Sequence, residues 1–171
     1  MHVMTALMNQ QFLTVLTLGN GIEHAAVQIE SEAGTVRDAR RFIQEQLSTW
    51  KFPEADGLID RVVLTVSELV TNAILHARTR PPGESELIGV SLAFKPGIAL
   101  GVLVTDNSDE VPLVVTRPPL DTIHGRGLAL VDALADGWAM APGRNREGGT
   151  GKGVWAFFEC PETACLLPQM A

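Results

Sequence analysis

An α+β two-layer sandwich is the fold class this sequence predicts, and three observations carry it. The 171 residues amount to about one domain. Two long segments repeat apolar residues at helical spacing. Short apolar runs joined by turn residues read as antiparallel hairpins. Helices interspersed with such hairpins bury their apolar stripes against one sheet. With 46% hydrophobic and 19% charged residues, the chain belongs to the ordinary globular class.

Residues 1–24 show no clear period and are expected to form a loosely attached N-terminal extension or a short strand. From Ala25 the text alternates, with Val27 and Ile29 against Gln28 and Glu30, which predicts a half-buried strand. Thr35 is a candidate N-cap for a helix over Val36–Trp50, where Val36, Ala39, Ile43 and Leu47 form the stripe. After the Pro53 turn, Ile59, Val62, Val63, Val66, Leu69, Val70, Ala73 and Ala77 predict a long amphipathic helix that ends at Pro81-Pro82-Gly83. Strands Leu87–Phe94 and Ile98–Asp106 flank a Lys95-Pro96-Gly97 turn. Asn107–Ile123, with three prolines, reads as a long loop of the kind that serves as a lid. A helix over Leu128–Ala135 follows, and Trp138–Ala141 with Val154–Glu159 suggests a second hairpin. The domain is expected to span 25–160, with 161–171 as a C-terminal tail.

Thirteen Lys and Arg against 20 Asp and Glu give a net charge of −7. Nucleic acid and anionic membranes both need clustered cations, so neither is an expected direct partner. Tyr is absent, which argues against stacking platforms for single strands. Cys160 and Cys165 have no second pair, so no four-cysteine zinc site can be built, and two reduced thiols are expected. No apolar run approaches the roughly 18 residues of a membrane span, and no signal peptide is evident. A cytoplasmic location is expected.

Three constellations carry chemistry. On the long helix, Glu68, Asn72 and His76 stand at i, i+4 and i+8. An Asn inside a strong helix wants a reason, because its amide competes for backbone hydrogen bonds. Its carboxamide oxygen is a hard ligand suited to Mg2+, and Glu68, one turn earlier, is placed to act as a base beside such an ion. In VLVTDN, Asp106 follows directly on an apolar strand. A strand-end Asp is often a turn former, and it is also where a carboxylate would accept from an exocyclic amine. In HGRGLALV, Gly125 and Gly127 precede a helix, whose free N–H groups and dipole favour an anion. The dinucleotide fingerprint fails there, since position 130 is Leu.

Taken in order, SELVTNAILHA, VTDN, HGRGLALVDALAD and GKGVWAFFE resemble the N, G1 and G2 boxes and final strand of the GHKL ATPases. The resemblance covers roughly Ala25 to Glu159 and is closest to the anti-sigma factor serine/threonine kinases of actinobacterial type. It implies a Bergerat-type fold, a mixed, mostly antiparallel sheet with helices on one face and ATP between the layers. By resemblance Asn72 would ligate Mg2+ and Glu68 would be the general base. Asp106 would bind the adenine amine, and the amides of Gly125, Arg126, Gly127 and Leu128 would cradle the phosphates. Two departures stand out: Asn107-Ser108-Asp109 replaces the usual glycines after the Asp, and Gly153 aligns with the Thr usual on the final strand.

The resemblance implies an ATP-binding regulator that phosphorylates Ser or Thr of a small antagonist protein and acts on a sigma factor. A homodimer is compatible with it. The alternative is a nucleotide-gated module that sequesters a partner without phosphotransfer.

Overall fold

A computed structural model describes residues 2–108, 127–144 and 149–160. In chain order these form α1 (His2–Leu18), β1 (Glu23–Glu30), a short 3-10 turn (Ala33–Thr35), α2 (Val36–Thr49) and α3 (Leu58–His76). β2 (Leu87–Lys95), β3 (Ala99–Asp106), α4 (Gly127–Leu134), β4 (Gly137–Arg144) and β5 (Thr150–Glu159) complete them. The five strands make one sheet in the order β1-β2-β3-β5-β4, antiparallel at every pairing.

The period of two along each strand divides the sheet into two chemically distinct faces. Val90 and Leu92 on β2, Leu100, Val102 and Val104 on β3, and Val154, Ala156 and Phe158 on β5 turn to one side. There they meet Ala39, Ile43 and Leu47 of α2, Val62, Val66, Leu69 and Val70 of α3, and Leu128 and Val131 of α4. This is the main core, and its two long helices bury the stripes read from the sequence. The Lys95–Gly97 turn also stands as expected, with Gly97 at φ 73°, a conformation that costs glycine no Cβ clash.

Residues 2–18 depart from the expectation of a loose extension or strand. They form α1, which covers the second face of the sheet. Leu16 is 1% exposed and packs with Ala93, Ala99 and Phe157, while Phe12 stacks on Phe157 at 5.2 Å. Gly101 permits this approach, because a Cβ there would lie 2.6 Å from Leu16 Cδ1. The helix escapes a periodicity search because Met8 and Leu18 are exposed apolar residues outside the buried stripe.

Thr35 also behaves differently from a simple cap. Its hydroxyl donates to the carbonyls of Glu30 (2.6 Å) and Glu32 (2.7 Å), tying the helix start back to the end of β1.

Candidate functional site

Glu68 and Asn72 are half-buried on α3, and His76 at its end is exposed. Arg61, Thr65, Glu68 and Asn72 follow the spacing i, i+4, i+7, i+11 and so share one face of that helix. Arg61 shows where the face looks. Its Nε donates to the carbonyl of Leu134 at the C-terminal end of α4 (2.9 Å), and its guanidinium pairs with Asp136 at 3.3 Å. An Arg on the last carbonyl of a helix satisfies an orphan acceptor and complements the dipole, so α4 is held against this side of α3. On the same face the Thr65 hydroxyl is fully buried and has no hydrogen-bond partner among the described residues.

Asp106 closes β3. It is in phase with Leu100, Val102 and Val104, so its carboxylate lies on the helix-covered face of the sheet. The side chain is only 7% exposed. Oδ1 accepts from the Ser108 amide at 2.9 Å and from Lys152 Nζ at 3.0 Å. Burial pushes the Asp106 carboxyl above its ordinary range, against the pull of Lys152 and the Ser108 amide, and the nearby Glu86 charge adds to the rise.

Register decides which residue of the final strand meets Asp106. Lys152 stands directly opposite it, and Gly153 stands opposite Thr105. The alignment of Gly153 with a nucleotide-side threonine is therefore corrected: position 153 turns to the α1 face, where a Cβ would lie 2.7 Å from Leu103 Cδ1. Lys152, 9% exposed at the side chain, was missed as a site residue. The signal was present, since stepping back by two from Phe158, Ala156 and Val154 reaches it.

A second buried carboxylate flanks the pair. Glu86 accepts from the Thr79 amide (2.9 Å), the Thr79 hydroxyl (2.5 Å) and Asn107 Nδ2 (3.3 Å). Burial raises its pKa, but these hydrogen bonds outweigh it and hold Glu86 below the ordinary value of 4.5. A depressed carboxylate pKa stabilises the fold above that value and loses the contribution as pH falls through the folded pKa. Glu86→Gln is thus expected to lower urea stability at neutral pH, with the gap to wild type closing as pH drops below 4.5. A gap that stays constant with pH would contradict this role.

Gly127 and Leu128 open α4, and Leu128 is 5% exposed in the main core. Gly125, Arg126 and all but the first two residues of the Asn107–Ile123 loop lie outside the described residues. Among the described residues no group of three or more His, Cys, Asp or Glu could hold a metal. Cys160 is a buried free thiol, pushed up to about 12 by burial and by Asp136, so it carries little thiolate at neutral pH. No helix among them is long and apolar enough to cross a membrane.

A single antiparallel sheet with three helices on one face, and a buried carboxylate at a strand end on that face, defines an α+β domain of the Bergerat type. Residues 29–153 match the family model of the histidine kinase-like ATPase domain, and the chain belongs to that family. Among solved structures it is similar to the RsbU and RsbW domains of Rv1364c from Mycobacterium tuberculosis, with 19% identity and a TM-score of 0.56. That match covers 82% of this chain and 34% of the other, so this chain spans about a third of that protein's length. No curated protein matches.

Proposed function

We propose that this chain is an ATP-binding, anti-sigma-type regulator that phosphorylates Ser or Thr of a small antagonist protein. The observation that carries it is the buried, strand-end Asp106 on the same sheet face as α3 and α4, within a histidine kinase-like ATPase domain. The likeness to a protein whose described domains include RsbW supports the regulatory side of the reading. The small antagonist protein and a sigma factor are its proposed partners.

The residues divide the work. Asp106 would accept from the base, and the first amides of α4 at Gly127 and Leu128, with those of Gly125 and Arg126, would hold phosphate oxygens. Asn72 supplies a hard carboxamide oxygen on the α3 face that Arg61 turns toward α4, a donor that fits Mg2+. The orphaned Thr65 hydroxyl on that face is a further polar atom suited to a polar ligand. Bound Mg2+ would neutralise phosphate charge. Glu68 would take the proton from the attacking Ser or Thr hydroxyl, and Asn72 would orient the metal-bound phosphates.

Incubating the chain with labelled ATP and the antagonist tests the class. Label on Ser or Thr of the antagonist is expected. ATP-dependent complex formation without transfer would favour the nucleotide-gated module instead.

A further inference from the structure

The Asp106–Lys152 pair bears on which base the site takes. A lone carboxylate is acceptor-only, so it favours a 6-amino purine and repels a 6-oxo one. Here the carboxylate has a cation 3.0 Å away, and both side chains are nearly enclosed, at 7% and 9% exposure. Enclosure keeps the pair's field from being diluted by water. Among the described residues both side-chain hydrogen bonds to Asp106 fall on Oδ1, which leaves Oδ2 as an acceptor. Lys152 carries three N–H donors and directs one of them to Asp106. Glu86, the neighbouring carboxylate, is committed to Thr79 and Asn107.

The site therefore presents one acceptor and one cationic donor side by side on the helix-covered face. A 6-amino purine offers a donor at N6 and an acceptor at N1. A 6-oxo purine offers an acceptor at O6 and a donor at N1. Either edge is met by the same two groups with their partners exchanged. We propose that Lys152 is a base-specificity residue that widens this site from 6-amino to 6-oxo purine nucleotides. This rests on the nucleotide reading given above and deepens it.

Inosine triphosphate is the probe, because it differs from ATP only by the oxo group at C6 and the proton at N1. Equilibrium binding of both to the wild-type chain is expected to agree within about tenfold. In Lys152→Met the inosine nucleotide is expected to lose at least about tenfold relative to ATP, the worth of a hydrogen bond to a charged group. Rejection of the inosine nucleotide by wild type by roughly 100-fold or more would overturn the proposal while leaving ATP binding intact. So would an unchanged ratio in a Lys152→Met variant that melts cooperatively. If that variant does not fold, the wild-type ratio decides alone. Failure of wild type to bind either nucleotide would overturn both this proposal and the nucleotide reading.

Discussion

Replacing Asp106 with alanine is expected to weaken ATP binding by roughly 10- to 150-fold, the equivalent of about 1.5–3 kcal/mol for a lost hydrogen bond to a charged acceptor. The carboxylate is nearly enclosed, so water cannot fully replace it opposite the base amine. The same substitution strands the Lys152 ammonium, whose one side-chain hydrogen bond among the described residues is to Asp106 Oδ1. Breaking a buried pair costs about 3–5 kcal/mol of stability, so affinity must be compared on protein shown to be folded at the assay temperature. Asp106→Asn, which keeps an acceptor and the side-chain volume, is expected to lose less. Displacement of a fluorescent ATP analogue gives both values, and an Asp106→Ala chain that binds ATP as wild type does would remove Asp106 from base recognition.

The larger expected effect falls on catalysis. If Glu68 is the base, Glu68→Gln should slow transfer to the antagonist by about 10²–10⁴-fold and leave ATP affinity nearly unchanged, because a base acts only on the attacking hydroxyl. Asn72→Ala should behave differently, weakening Mg-ATP binding together with transfer, because the metal links phosphate to protein. Their shared face explains why the two must be separated by paired measurements. Arg61 ties that face to the end of α4, so a variant that merely loosened the α3–α4 contact would lower both quantities together. Full transfer by Glu68→Gln would assign Glu68 to a solvated helix face, where a good helix former replaces it at little cost.

Much of this was legible in the sequence because the main core obeys simple periods. The stripes of α2 and α3 repeat at helical spacing, β1 alternates, and β2, β3 and β5 are short apolar runs bounded by turn residues, so the element order and the two-layer class follow from one-dimensional patterns. The helix α1 was not legible, since its apolar residues spread around its surface and only the sheet decides which of them are buried. Lys152 was missed for a different reason. Stepping along β5 gives its face but not its partner, and the pairing of Asp106 with Lys152 is a long-range register that no local window contains. Glu86 escaped likewise, because its partners Thr79 and Asn107 come together only when the segment after α3 folds against the end of β3.

The central claim is that this chain holds Mg-ATP in the space between Asp106 and the facing turns of α3 and α4. Calorimetric titration of the wild-type chain with Mg-ATP tests it most directly. Saturable binding at one site per chain is expected, weakened by Asp106→Ala through the base and by Asn72→Ala through the metal. Absence of saturable heat at millimolar Mg-ATP, on chain that melts cooperatively, would contradict it.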